Sequence, residues 1–290
     1  MHHRNPIDQV KWWVKSRKFW RSSTIGITEV AVAGVCAVVL FAAFNMQRVE
    51  AVATKIREDV SYALYPSSEK AYAFGERHFN GQDVYNYDIL RAEYFFREAL
   101  RRDADIPYLH HEMARIHFLK GDFLNAMQEI NLQIQLHGTT TPNSYYVRGL
   151  IEGYMGDYAA AAKDYEEFLK VDPRNWAGIN DYAWVLLKAG RSGDAAKATE
   201  EGLKYFPNSP WLLNSSAIAL YELGRLEEAD VQAKKAWSEV QKVREAEWLH
   251  NYPGNDPAIA GQGIETFRRA VQENMQSIES ALASNTRQSP

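Results

Sequence analysis

The chain has 290 residues, 46% of them hydrophobic and 24% charged, with a net charge of −4 and a single cysteine. This composition excludes a disordered chain, a disulfide framework and a thiolate metal cluster, and the acidic balance leaves no general footprint for nucleic acid. The charge is unevenly placed: residues 1–24 hold six Lys or Arg against one Asp, so an acidic body follows a basic head.

Between head and body, Ile25 to Phe44 reads IGITEVAVAGVCAVVLFAAF, twenty residues broken by one charge, Glu29. About 20 apolar residues suffice for a helix to cross a bilayer core. Residues 25–45 are therefore expected to form one transmembrane helix in contact with lipid. The basic segment 1–24, with Trp12, Trp13, Phe19 and Trp20 as an interfacial belt, predicts a cytoplasmic N-terminus. The rest of the chain is then extracytoplasmic, as on a bacterial inner membrane. A cleaved signal peptide fits less well, because Ala51-Val52-Ala53 lies well past the apolar run, behind Arg48 and Glu50. Cys36 falls inside the span, which leaves the outer part without a thiol.

Residues 46–65 read as a helical neck. Met46, Val49, Ala53, Ile56, Val60 and Ala63 recur at gaps of three and four. Two heptads are short for a coiled coil, so this seam is expected to pack on the next element rather than to dimerise.

A repeat follows. Ala92, Ala126, Ala161, Ala195 and Ala229 are spaced 34, 35, 34 and 34 residues apart. Twelve positions before four of them stand Ala114, Gly149, Ala183 and Ala217, and five positions before them stand Gly121, Gly156, Gly190 and Gly224. The unit is a helical hairpin. Small residues let two helices approach, and the glycine ends the first helix in a left-handed cap. One hairpin cannot bury its own apolar face, so successive hairpins stack.

The pattern resembles the tetratricopeptide repeat family over residues 66–241, as five repeats. The resemblance implies an all-α fold, a right-handed solenoid of helix–turn–helix units. The first unit departs from it by an insertion near Gly81–Tyr85. Residues 242–284 are expected to run on as helix through Trp237 to Trp248, turn at Asn251–Pro257, and end in a helix that caps the solenoid. Asp256 is its N-cap, Pro257 its first residue, and Ile264, Phe267, Val271, Met275 and Ile278 its inner face. Residues 285–290 are expected to be a disordered tail.

No catalytic residue, cofactor or metal site is expected. His111-Glu112-Met113-Ala114-Arg115 approaches the H-E-x-x-H metalloprotease motif but has Arg115 where the second ligand belongs. By resemblance, the first helices line a concave groove for a protein or peptide partner. The positions that match are His111, Arg115, Tyr146, Tyr154, Asn180, Asp181, Trp184, Trp211, Asn214 and Tyr221. Asn180 and Asn214 are equivalent by register. Their amides suit the backbone of an extended peptide, or else local bonds at a helix start. The aromatic residues suit a protein-binding groove, with part of them needed for packing between helices.

The expected function is that of a membrane-anchored adaptor or scaffold, in assembly or chaperoning of envelope proteins or of a membrane machine. Two alternatives remain open: a spacer subunit of a membrane complex, and an organelle-surface receptor with cytosolic repeats. A homodimer or a larger membrane complex is compatible with each.

Overall fold

The computed structural model describes the backbone of residues 6–138, 140–252 and 254–288, and the side chains of 29–41, 45–138, 140–252 and 254–285. Among these residues there are thirteen α-helices, one 3-10 turn and no strand. Contacts divide the chain into two units at Asp59/Val60.

The first unit is most of α1, Pro6–Leu64. From Val30 to Phe41 its valines, Leu40 and Phe41 are exposed. No single helix among the described residues is long and apolar enough to cross a membrane. Glu29–Phe41 and Asn45–Leu64 pass that test only as a pair bent by 51°. The expected tryptophan belt at Trp12–Trp20 lies outside the described side chains. Along the neck seam, Met46, Val49, Ile56 and Val60 are exposed.

The second unit begins with the end of α1, where Tyr62 enters the core instead of the seam. Its ring meets Phe95 edge-on at 5.6 Å, and its hydroxyl donates to Glu98 (3.0 Å) and accepts from Arg102 (2.9 Å). Five helix pairs follow: α2 Ser68–His78 with α3 Ile89–Arg102, α4 Leu109–Leu119 with α5 Phe123–His137, α6 Asn143–Met155 with α7 Tyr158–Val171, α8 Trp176–Lys188 with α9 Ser192–Tyr205, and α10 Pro210–Glu222 with α11 Leu226–Val240. All five anchor alanines are fully buried. Gly121, Gly156, Gly190 and Gly224 adopt φ between +70° and +89°, the conformation expected of a left-handed cap. The second helices of the first three pairs start on Asp88, Asp122 and Asp157, whose carboxylates accept from a backbone N–H three residues on.

The first helices α4, α6, α8 and α10 touch along the stack as well as touching their own partners. That row of closer contacts is the inner side of the stack. The helix expected to run through Trp248 instead breaks. α11 ends at Val240, Val243 turns into the core, and α12 restarts over Glu245–Asn251. The cause is Arg268, whose guanidinium donates to the carbonyls of Val240, Gln241 and Val243 at 3.4, 3.4 and 3.1 Å. These carbonyls need partners at a helix end, and a cation there favours termination.

Asp256 does cap the next element, accepting from Ala258 N–H at 2.9 Å. A short 3-10 turn, Pro257–Ile259, leads into α13, Ala260–Gln288, which lies on α11 and buries Ile264, Val271 and Ile278. This helix continues through residues 285–288, where a disordered tail was expected. Before it, Ser277, Ser280 and Ser284 each donate to the carbonyl four residues earlier along the helix.

Candidate partner-binding face

The inner row carries a cavity of about 670 Å³. Its walls come from the first helices of the early pairs: Tyr72 and Glu76 on α2, His111, Glu112 and Arg115 on α4, and Asn143, Tyr146 and Leu150 on α6. Of the ten residues expected to line a groove, His111, Arg115 and Tyr146 are the ones on these walls.

Each of these three is held from behind. His111 is buried, with its Nδ1 3.2 Å from Ser144 Oγ. Ser144 in turn donates to Thr141, and Thr141 to the His137 carbonyl, so the neutral ring carries its proton on Nδ1. Burial, reinforced by the charge of Arg115, pushes the imidazole down to about 3. Arg115 donates to Glu112 Oε2 at 2.7 Å and lies 4.7 Å from the centre of the Phe79 ring. Burial raises the Glu112 carboxyl despite that pairing. Tyr146 donates to Asp181 Oδ2 at 2.6 Å, and burial raises the Asp181 carboxyl.

The two register-equivalent asparagines are occupied. Asn180 Nδ2 donates to Asp181, and Asn180 Oδ1 accepts from Ser215 at 2.8 Å. Asn214 Oδ1 accepts from Asn274 on α13 at 3.0 Å. Tyr154 and Trp184 belong to an aromatic group with Phe118 and Tyr158. Trp211 is buried against Trp176 (4.8 Å) and stacked on Phe267 of the capping helix (5.2 Å, 11°). Tyr221 is partly exposed and lies off the cavity.

The fourth side of the cavity is one the repeat pattern does not contain. Asn251, Tyr252, Gly254 and Asn255 line it. This segment leaves the last pair and crosses to the first, where the Tyr87 hydroxyl donates to the Gly254 carbonyl at 3.0 Å. Gly254 is buried against Arg115: a Cβ there would stand 2.5 Å from Nη2. The turn expected to lead only into a cap therefore lies across the concave face. The one trace of it in the sequence is Asn-Tyr-Pro-Gly-Asn, a turn with an aromatic residue, set outside the period.

A family model for the tetratricopeptide repeat matches residues 146–210 and 180–237. The repeats are tetratricopeptide-like. No curated protein matches the chain. Among solved structures, it is similar to a crystal structure of a MamA protein, with a TM-score of 0.51 and 17% identity over 60% of this chain and 92% of that one. A double mutant of MamA RS-1 aligns with a TM-score of 0.53 and 11% identity, over 60% of this chain and 95% of that one. At these identities the likeness concerns the fold: an all-helical stack of tetratricopeptide-like pairs. Among the described residues, no group of three or more His, Cys, Asp or Glu is placed to hold a metal ion.

Proposed function

We propose that the chain is a membrane-tethered scaffold whose concave face holds an extended protein segment, outside the cytoplasm, during assembly of envelope proteins or of a membrane machine. The observation that carries the binding role is the 670 Å³ cavity. Its walls combine tyrosine rings with asparagine amides, groups that grip a peptide backbone without demanding one charge. The tether is supported by the basic head, the twenty-residue apolar run and the exposed side chains from Val30 to Phe41. Tethering raises the local concentration of the face, so a weak groove suffices.

Two measurements test the reading. A photoreactive residue at Asn143, on the cavity wall, should capture a protein in cells, and one at Lys197, on the outer helix α9, should not. If Asn143 captures nothing while residues 1–45 alone recover the same partners in mild detergent, the chain is a spacer and the binding role falls. Protease added to spheroplasts should remove the repeats. Full protection of the repeats would reverse the topology.

A further inference from the structure

The segment across the concave face makes the contacts of a bound peptide. The Tyr252 ring is its anchor: it lines the cavity and lies 6.5 Å from Trp211 on α10, steadied from within its own segment by Trp248 at 4.5 Å. Gly254 is the small residue that fits against the Arg115 guanidinium, and its carbonyl accepts from Tyr87 on the wall. One aromatic, a small residue two positions on, and a carbonyl bonded to the receptor are what recognition of a short extended motif requires.

The attachment of this segment is light. Val243 and Ala260 are buried on either side, and among the described residues between them only Gly254 is buried. The seven-residue α12 has no fully buried residue and no side-chain cap, and Trp248 is its half-buried hold on α13, 6.5 Å from the Phe267 ring. By contrast α13 is held independently by Ile264, Val271 and Ile278. Residues 249–256 can therefore lift between Trp248, held on α13, and Ala260 without undoing the solenoid or its cap.

We propose that residues 251–256 are an internal ligand that competes with the external partner, and that this partner presents a tyrosine followed two residues later by glycine. The proposal rests on the concave face being the partner site. A linked competitor faces its site at millimolar effective concentration, so the partner's affinity is its intrinsic affinity multiplied by the fraction of time the face is open.

The test uses a labelled peptide of residues 248–257, Trp-Leu-His-Asn-Tyr-Pro-Gly-Asn-Asp-Pro. It is titrated into the full chain in detergent, and into a variant in which 251–256 is replaced by six Gly and Ser residues. A second variant, Tyr252→Ala, covers failure of the first to fold, and circular dichroism melts check both. The peptide should bind the opened variants at least tenfold more tightly than the parent. Arg115→Ala in the opened background should remove that gain. Equal affinity for parent and variants, or binding to none of them, overturns the internal ligand. If Asn143 crosslinks a partner all the same, the reading of the face survives that loss. A parent dimer that the Gly and Ser replacement dissolves also overturns it, since the segment would then serve a second copy.

Discussion

The backbone N–H of His111 donates to Gln133 Oε1 at 3.1 Å, across 22 residues and with both residues buried. This bond replaces a helix cap. Tyr108, which precedes α4, has φ of +68° and makes no side-chain cap bond, so the start of α4 takes its acceptor from α5. The other end of the Gln133 amide donates to Thr141 at 3.4 Å. In the equivalent place the other pairs have Ala99, Phe168, Gly202 and Ala236. Gln133→Leu keeps the size and leaves a buried N–H without a partner. The expected cost is about 1–3 kcal/mol in urea denaturation. An unchanged or raised midpoint would show that α4 does not depend on this bond.

The same network makes His111 a source of acid sensitivity. Its folded pKa of about 3 lies below the ordinary value of 6.5. The unfolded chain therefore takes up a proton first as the pH falls, and stability present above pH 6.5 is lost on the way down to pH 3. At pH 5 the loss amounts to roughly 2 kcal/mol. Denaturation of the parent and of His111→Gln at pH 7.5 and 5.0 measures it. The parent should lose about 2 kcal/mol more than the variant between the two conditions. Equal losses would mean that the imidazole takes up its proton as readily in the fold as in the unfolded chain.

What the sequence makes legible, and what it hides, follows from the range of the forces involved. The anchor alanines and the four left-handed glycines are local requirements of a hairpin, so a 34-residue period displays them, and each is found where expected. Register also places Asn180 and Asn214 on one face, but it cannot say what they meet. Ser215 from the next pair and Asn274 from the capping helix take both amide oxygens. Likewise the run from Trp237 to Trp248 has no local helix breaker. It ends because Arg268, more than twenty residues on, folds back onto its carbonyls. The segment at Tyr252 is hidden for the same reason: its partners at Tyr87 and Arg115 are set by the curvature of the whole stack.

Tyr108 stores strain at the mouth of the cavity. A left-handed backbone at a residue with a bulky side chain costs about 1–2 kcal/mol, and asparagine tolerates it better. The Tyr108 ring meets His111 edge-on at 5.4 Å and lines the cavity. Tyr108→Asn should therefore raise stability by up to about 1 kcal/mol while weakening partner capture at Asn143. Thermal melts and crosslinking yields read the two effects separately. A variant that gains stability and keeps full capture would reduce Tyr108 to a strained turn with no part in binding.

The pair α6–α7 holds a carboxylate whose pH dependence has the opposite sign. Glu152 lies 3.9 Å from Arg148 Nε, but that guanidinium is already engaged by Asp164 at 2.5 and 2.7 Å. Glu152 Oε2 is buried without a hydrogen-bond partner. Burial, and then the Asp164 charge, raise the Glu152 carboxyl to about 7, with Arg148 opposing them. An acid raised in the fold costs nothing while both states are protonated, below about pH 4.5. The cost grows as the pH rises toward 7, because the unfolded chain ionises first. Glu152→Gln removes that cost, so its melting temperature should exceed the parent's at pH 8 and match it near pH 4.5. Solvent at the edge of the site limits the gain to on the order of 1 kcal/mol. A variant less stable than the parent at pH 8 would show that the ionised Glu152 is bound by Arg148 after all, and that this ion cluster holds the third pair together rather than straining it.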